Sequence, residues 1–305
     1  MRLAFFLLTP ALFAQDLKIE VQRVRPNVYM LASSAGNMVV QLGEQSNADG
    51  VLLIDTLPSN VSARVLEEVR KLSGKPLRYI LNTSANPSRS GGNGEIASIG
   101  RALPAFSNAN FGLDSATIIA QDEVLTRMSR PKVGEPRQFA DWPTLTFDAN
   151  KDFHFNGEPI WMIHVPHAHS DGDALVFLRS SNVIATGELF TTIGYPKIDL
   201  ERGGGIQGII DGLNRIIDLA VPADNEEGGT MIIPAHGRLC DEADVSDYRD
   251  MVTIIRDRVQ DLMKKRKSLA EVKSAKPTLD YDGRYSKPGW TGDQFTEVIF
   301  RSLSK

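Results

Sequence analysis

Histidine is concentrated in two short segments of this chain, and imidazole is the side chain best suited to metal binding and proton transfer near neutral pH. Three of the five histidines lie between Ile163 and Asp173, and a fourth, His236, follows the apolar pair Ile232-Ile233. A carboxylate, Glu188, follows a third apolar run at 183–185. Loops at strand ends commonly carry reactive groups. We therefore expect His169, Glu188 and His236 to share one cleft.

The amino-acid composition excludes several kinds of partner and site. The chain has 305 residues, of which 42 % are hydrophobic and 24 % charged, so it can bury a sizeable core. The net charge is -4, and no run of basic residues offers a stripe for phosphates, so nucleic acid is not an expected partner. A single cysteine, Cys240, excludes an internal disulfide and a cysteine-rich zinc site. We expect Cys240 to be a small buried side chain.

Several motifs in a fixed order make the chain similar to the metallo-β-lactamase superfamily. The family carries a His-x-His-x-Asp-His loop after a strand, then a single His, a bridging Asp and a last His. His169, Glu188 and His236 stand at the last three places, while Asp55 matches a carboxylate that supports the loop. The resemblance covers about residues 25–240. It implies an α/β fold: a four-layered αβ/βα sandwich of two mixed β-sheets flanked by helices.

The loop itself departs from the family pattern. Its frame is present as Asn82-Thr83 before it and Gly91-Gly92-Asn93 after it. The four positions where the resemblance implies metal ligands instead hold Ser84, Asn86, Ser88 and Arg89. Hydroxyl and amide oxygens are weak zinc donors, and a guanidinium is a permanent cation that cannot ligate a metal.

Arg89 could supply the positive charge that a metal ion would otherwise provide. Without a metal, Glu188 would be a partly buried carboxylate without a partner, which costs several kcal/mol. A guanidinium can satisfy a carboxylate through two parallel hydrogen bonds. We therefore predict an Arg89–Glu188 ion pair, with Asp55 and Asp173 as supporting carboxylates.

Two functions follow from this loop. The first is a superfamily member that has lost metal-dependent hydrolysis and binds a small molecule or has another role, with no cofactor expected. The alternative is a mononuclear hydrolase of an ester, amide or lactam, with one zinc ion on His169, Glu188 and His236. We favour the first, because activation of water by a metal needs the ligands that this loop lacks. The substrate, the ligand and the oligomeric state are not specified by any motif.

Two further patterns are weak. Gly203, Gly205 and Gly208 spell GxGxxG, but no apolar strand precedes them, so we expect a loop before a helix and no dinucleotide site. A serine of the first loop beside a histidine and Glu188 could imitate a nucleophile with its base. No nucleophile-elbow motif supports that interpretation.

Hydrophobic periodicity predicts the elements that position these residues. Strands are predicted at 17–24, 28–32, 38–42, 51–55, 77–81, 145–147, 151–155, 159–165, 173–177, 183–185 and 230–233. Helices are predicted at 60–72 with Ser59 as the cap, at 115–128 and at 206–219, followed by a mostly helical C-terminal region with a Ser268–Glu271 capping box. We expect one domain over 15–305, with its core at 25–240 and a C-terminal helical region at 241–305.

The N-terminal segment differs from the rest. Arg2 is followed by an apolar run from Leu3 to Ala14 that only Thr9 and Pro10 interrupt. This pattern is typical of a signal peptide over residues 1–14, cut after the small residue Ala14. At about 14 residues the run is shorter than the roughly 20 that span a bilayer, so we expect no stable membrane span. The predicted location is periplasmic or secreted.

Overall fold

The computed structural model describes residues 18–43, 49–103, 115–130, 138–225 and 228–304. Within these residues the strands form two mixed sheets flanked by helices, so the predicted fold class is confirmed. The predicted signal peptide lies outside the described residues.

The first sheet has seven strands in sequence order. Its first four strands pair antiparallel, and its last four strands pair parallel. The two strands before the loops of the site, at 51–54 and 77–81, are almost wholly buried, as expected for parallel strands with both faces covered. The strands are β1 (Glu20–Arg25), β2 (Val28–Ser33), β3 (Gly36–Leu42), β4 (Val51–Ile54), β5 (Leu77–Leu81), β6 (Thr117–Gln121) and β7 (Leu145–Phe147).

The second sheet has five strands, and their spatial order reverses their order in the chain. Only its two last strands pair parallel, which places the ends before Glu188 and before His236 at the same edge. The strands are β8 (Asn150–Phe155), β9 (Glu158–Val165), β10 (Asp173–Leu178), β11 (Val183–Ala185) and β12 (Met231–Ile233).

Helices cover the outer face of each sheet. One apolar cluster joins the inner faces of the two sheets. A second joins the first sheet to helices α1 (Ser62–Leu72) and α3 (Asn93–Ser98). A third joins the second sheet to helices α5 (Ile206–Leu219), α6 (Glu242–Lys264) and α9 (Gly292–Leu303). The result is four layers. The helices are α1 (Ser62–Leu72), α2 (Pro87–Ser90), α3 (Asn93–Ser98), α4 (Asp122–Ser129), α5 (Ile206–Leu219), α6 (Glu242–Lys264), α7 (Leu269–Ser274), α8 (Leu279–Tyr285) and α9 (Gly292–Leu303).

The prediction of a helix over 115–128 is wrong in its first half. Residues Thr117–Gln121 form strand β6, and the helix begins at Asp122. Ile118 packs in the outer cluster and Ile119 in the cluster between the sheets, so successive side chains point to opposite faces, as in a strand. The Gln121 side chain then caps α4 by accepting a hydrogen bond from the Glu123 N–H.

Ser59 does not cap α1 as predicted. It begins a 3₁₀ turn over Ser59–Val61, and the residue at the cap position of α1 is Val61, which has no side-chain oxygen. The capping box of Ser268 and Glu271 at the start of α7 is confirmed. None of the helices in the described ranges is long and apolar enough to cross a membrane.

The glycines of the GxGxxG pattern pack α5 against the loop that carries His169. Gly205 donates its N–H to the Ala168 carbonyl at 3.0 Å. A Cβ on Gly208 would overlap the His167 carbonyl, and a Cβ on Gly204, which lies between the first two glycines of the pattern, would overlap that of His169. Glycine is therefore required here for close backbone approach.

Candidate functional site

The loop between β5 and α3 is held by amide and carboxylate hydrogen bonds. Asn82 and Asn93, at its two ends, exchange side-chain hydrogen bonds of 3.0 and 2.7 Å. The buried Asp55 carboxylate, directly after β4, accepts hydrogen bonds from the Thr83 N–H at 2.8 Å and from the Thr83 hydroxyl. These contacts fix the start of the loop.

Arg89 lies at the centre of the site, and its side chain is only 1 % exposed. Its Nε is 3.0 Å from Glu188 Oε1, and its Nη1 is 3.7 Å from Asp55 Oδ2. Nη1 also donates to the Asn37 carbonyl oxygen at 2.8 Å. Nη2 is buried and has no hydrogen-bond partner among the described residues. The structure thus brings Arg89 and Glu188 together through one carboxylate oxygen, without the two parallel bonds of a fork.

Glu188 lies in a 3₁₀ turn after β11 and is 9 % exposed. The hydroxyl of Ser88 donates to its Oε1 at 2.7 Å. Burial alone raises the pKa of Glu188, but the charge of Arg89, the neighbouring imidazoles and the Ser88 hydroxyl outweigh it and lower the pKa to about 2. Glu188 is therefore a stable anion and a poor proton acceptor at neutral pH.

Asp55 differs from Glu188 although both face the same guanidinium. Burial raises the pKa of Asp55 to about 6, because the attraction of Arg89 and the hydrogen bonds from Thr83 only partly offset the loss of solvation. Its distance to Arg89 is 0.7 Å longer than that of Glu188 (3.7 against 3.0 Å). The pair Arg89–Glu188 is thus the tighter of the two.

His169 has both ring nitrogens engaged. Its Nδ1 lies 2.9 Å from the Lys197 carbonyl oxygen, and its Nε2 lies 3.3 Å from Asn86 Nδ2. The orientation of the Asn86 amide follows from its Oδ1, which accepts the Ser88 N–H at 3.0 Å. Since Asn86 Nδ2 can only donate, His169 carries its proton on Nδ1 and accepts at Nε2.

The other side chains predicted for the site are close by. Ser84 is buried, and its hydroxyl accepts the Asn86 N–H at 3.2 Å. Asp173 accepts two hydrogen bonds from Ser170, next to His169, and burial raises its pKa. His236 is half-buried, directly after the Pro234-Ala235 segment that follows β12.

Charges around His236 affect its protonation. Burial lowers the pKa of His236, and the positive charges of Arg89 and Lys197 lower it further, while Glu188 opposes them. His236 is therefore a neutral imidazole near pH 7. The buried thiol of Cys240, behind this loop, has its pKa raised to about 12 mainly by burial and is unreactive.

The site contains residues that the sequence did not point to. Asn37 joins its two halves: its carbonyl accepts from Arg89, while its side chain donates to the carbonyls of Pro234 and Gly237 beside His236. Gly36 leaves the space for the guanidinium, since a Cβ there would overlap Arg89 Nη2. Lys197 contributes its carbonyl to His169. All four of these hydrogen bonds are accepted by backbone carbonyls, which carry no sequence signal.

The potential metal ligands among the described residues do not form a cluster that could hold an ion. In the parts of the chain that the structure describes, no group of three or more His, Cys, Asp or Glu side chains could hold a metal ion. His169 and His236 both help to lower the pKa of Glu188, so the three side chains border one site, but within the described residues they do not form such a group.

Known structures share this architecture at low sequence identity. The stereoselective inverting sec-alkylsulfatase Pisa1 from Pseudomonas sp. is 14 % identical with a TM-score of 0.64, and the match covers 93 % of this chain and 50 % of that one. The chain thus spans about half the length of the alkylsulfatase. A metallo-beta-lactamase from Pontibacter korlensis is 13 % identical with a TM-score of 0.57, covering 77 % of this chain and 99 % of that one. The DIM-1 metallo-beta-lactamase is 13 % identical with a TM-score of 0.55, covering 78 % and 99 %.

Sequence comparison gives the family. No curated protein matches the chain significantly. The family model described as the metallo-beta-lactamase superfamily matches residues 36–236, which is well over half of the chain. The resemblance inferred from the order of the motifs is thereby confirmed, and the chain belongs to the metallo-β-lactamase superfamily.

Proposed function

We propose that this protein uses the superfamily fold without a metal-dependent hydrolase centre, and that it binds a small molecule at the site. The observation that carries the proposal is the buried Arg89 guanidinium, 3.0 Å from the Glu188 carboxylate. It provides within the chain the positive charge that a metal would otherwise supply to this carboxylate.

The side chains of the first loop do not fit zinc. Ser84, Asn86 and Ser88 offer hydroxyl and amide groups, and each of them is already hydrogen-bonded within the site. A dication about 5 Å from the Arg89 guanidinium would be repelled by roughly 7 kcal/mol at an effective dielectric of about 20. That repulsion is about half of a strong structural zinc affinity.

His169 supports the same conclusion. A histidine binds a metal through a free nitrogen lone pair. The lone pair of Nε2 faces the Asn86 amide and Nδ1 faces the Lys197 carbonyl, so ligation would first have to break one of these bonds. Within the described residues His169, Glu188 and His236 do not form a group that could hold a metal ion, which argues against the alternative of a mononuclear hydrolase on these three residues.

Metal analysis of the full-length protein tests the proposal. Protein expressed in zinc-supplemented medium should contain well under one zinc per chain by mass spectrometry. A chelator should leave its Tm unchanged, since a ligand that does not bind cannot stabilise the folded state. One or more tightly bound zinc ions per chain would contradict the proposal.

We further propose that the protein is exported by its N-terminal segment. Support comes from the apolar run ending at Ala14 and from the polar residues that follow it. The mature chain should then begin near Gln15. N-terminal sequencing of the protein from its native host checks this, and a chain that still begins at Met1 would refute it.

A further inference from the structure

A cavity lies at the edge of the two sheets that is opposite the candidate functional site. Its volume is about 560 Å³, which is a usual size for a small-molecule site. The turns between β1 and β2, between β8 and β9 and between β10 and β11 border it, together with Gly229 before β12. Strands β11 and β12 begin at this cavity, whereas Glu188 and His236 follow their other ends. The cavity is therefore separate from the site already described.

Arg25, at the end of β1, supplies a cation to the lining of this cavity. Its Nε donates to the Ser181 carbonyl at 3.0 Å, and its Nη2 donates to the Gly229 carbonyl at 2.8 Å. These two carbonyls of the second sheet occupy the Nε–Nη2 edge of the guanidinium and fix its position. Since a guanidinium has five N–H donors, its Nη1–Nη2 edge keeps the two parallel donors that suit a carboxylate.

Glu158, at the start of β9, supplies the opposite charge and is only 2 % exposed. Its Oε1 accepts the N–H groups of Ser180 and Ser181 at 2.6 and 3.2 Å, and its Oε2 accepts the Ser181 hydroxyl. Among the described residues, neither Glu158 nor Arg25 has an ion-pair partner. Buried charges in folded proteins are usually paired. A cation from outside the chain would pair this carboxylate.

Asn182 adds an oriented donor to the side of the cavity that holds Arg25. It directly follows Ser181, whose carbonyl binds Arg25. Its Oδ1 accepts the Thr230 hydroxyl at 2.7 Å, and that hydroxyl in turn accepts the Val221 N–H. The orientation of the amide is thereby fixed, and its Nδ2 is the group left to donate to a ligand. An amide N–H next to a guanidinium edge is a second donor for a carboxylate.

We propose that this cavity binds a small zwitterion with a free carboxylate and a free ammonium group, as in an amino acid or a short peptide. The carboxylate lies against Arg25 and Asn182, and the ammonium group faces Glu158. Arg25 and Glu158 are the only charged side chains among the described residues that line the cavity. A ligand with one charge would be attracted by one of them and repelled by the other, whereas a zwitterion complements both. The inference is independent of the proposed function, because it uses no residue of the candidate functional site.

Ligand-detected NMR titration of the full-length protein tests the proposal. Glutamine and glycylglutamine carry the two charges at different separations, so the tighter of the two distinguishes an amino acid from a peptide. Each is compared with its N-acetyl form, which lacks the ammonium charge, and with its amide form, which lacks the carboxylate. We expect at least one zwitterion to bind, about tenfold more tightly than either of its singly charged forms. Equal binding of the three forms, or no binding of either zwitterion at millimolar concentration, would overturn the inference.

Asn182→Asp assigns the carboxylate end of the ligand. Aspartate keeps the acceptor for Thr230 and tolerates the left-handed backbone of this position, where φ is 52°. It replaces the Nδ2 donor with a charged oxygen, so zwitterion binding should weaken about tenfold or more. Asn214→Asp on α5 is the matched control, because Asn214 Oδ1 also accepts a hydrogen bond, from Arg249, and the charge change is the same. Unchanged binding in Asn182→Asp, or an equal loss in Asn214→Asp, would refute the assignment.

Glu158→Gln assigns the ammonium end. Glutamine keeps an oxygen for the N–H groups of Ser180 and Ser181, and its amide can donate to the Ser181 hydroxyl, which already contacts Asn27 Oδ1 at 3.4 Å. The variant should therefore fold, as checked by circular dichroism. It should lose the preference for the zwitterion over the N-acetyl form, because the charge that attracts the ammonium group is gone. A purely structural role of Glu158 would lower Tm and leave that preference unchanged, which would contradict the proposal.

Discussion

The charge balance of the site depends on Arg89. Its guanidinium contacts two buried carboxylates and a backbone carbonyl, while the remaining nitrogen is unpaired among the described residues. Removing one partner of a buried ion pair leaves the other charge without compensation, which costs several kcal/mol. Removal of an arginine whose side chain pointed into solvent would carry no such cost.

Arg89→Ala should lower the free energy of unfolding by about 2 to 4 kcal/mol, because it leaves Glu188 buried and unpaired. The double variant Arg89→Ala with Glu188→Gln should recover much of this loss, because the uncompensated charge is then gone. Denaturant unfolding of the four members of this cycle measures the coupling.

Arg301→Ala provides the control for that cycle. Arg301 pairs with Glu297 on α9, and its side chain is 62 % exposed, so its loss should change stability by less than about 1 kcal/mol. If Arg89→Ala is as mild as this control, the buried pair contributes no stability and our interpretation of Arg89 fails.

The two carboxylates beside Arg89 should affect stability in opposite directions with pH. Glu188 has its pKa lowered from 4.5 to about 2, so the stability it contributes is present above pH 4.5 and lost as the pH falls towards 2. Asp55 has its pKa raised from 3.8 to about 6, so its contribution is present below 3.8 and lost as the pH rises through 6.

Asp55→Asn isolates the second effect, because asparagine stays neutral at every pH in this range. Between pH 4 and pH 7 the stability of the wild type relative to this variant should fall, by up to about 3 kcal/mol for a shift of this size. Urea unfolding at a series of pH values measures the difference. Parallel profiles would show that Asp55 does not gain a proton on folding.

At the scale of the element, the ends of the loop from Asn82 to Asn93 are held independently of the four positions where the family resemblance implies metal ligands. The reciprocal amide bonds at its ends and the Thr83–Asp55 contacts do not involve Ser84, Asn86, Ser88 or Arg89. Introducing metal ligands at those positions should therefore create a metal site without rebuilding the loop.

The variant with Ser84→His, Asn86→His, Ser88→Asp and Arg89→His should bind at least one zinc per chain, measured by mass spectrometry after dialysis. Its matched control carries the first three substitutions and keeps Arg89, whose charge should still repel the ion. A folded four-fold variant, verified by circular dichroism, that remains free of zinc would contradict this account of the loop.

Helix α5 positions the His169 loop through its glycines. Gly208→Ala should lower stability by about 1 to 3 kcal/mol, because its Cβ would overlap the His167 carbonyl. Gly283→Ala in α8 is the control: a Cβ there meets nothing within 4 Å, so the variant should gain about 0.5 to 1 kcal/mol. Thermal unfolding compares the two, and equal effects would remove the packing argument.

Local sequence predicted some elements better than others. Helix α5 and the strands at 145–147 and 183–185 match their predicted bounds, because polar or turn-forming residues flank each of these apolar segments. The segment 115–128 was misassigned because β6 is buried on both faces and therefore lacks the alternation that identifies a half-buried strand. Its apolar residues then continued without a break into α4.

Only those parts of the site that are formed by side chains could be predicted from the sequence. The sequence alone showed the order of His169, Glu188 and His236 along the chain and the positive charge of Arg89. The acceptor on Asn37 and the space above Gly36 depend on how the β2–β3 turn meets the His236 loop, which is a tertiary contact. A pattern along the chain contains no information on such contacts.

For the whole molecule, the C-terminal helices extend beyond the family match, which ends at 236, yet they share the core of the second sheet. Tyr195, on the segment that leads to Lys197, stacks on Phe295 of α9 with ring centres 4.8 Å apart. Its hydroxyl donates to Asp282 at 2.9 Å, and Trp290 Nε1 donates to its carbonyl at 3.0 Å. The wall of the site is thus attached to these helices.

Unfolding should consequently be a single cooperative transition, in which far-ultraviolet circular dichroism and tryptophan fluorescence give the same midpoint. Deletion of residues 242–305 should prevent folding, because it removes α6 and α9 and so exposes the apolar side chains of the second sheet and α5 that these helices cover. Two separate transitions, or a truncated chain that keeps a native spectrum and a sharp Tm, would show that the C-terminal helices form an independent unit. The attachment of Tyr195 to α8 and α9 would then be unnecessary for the shape of the site.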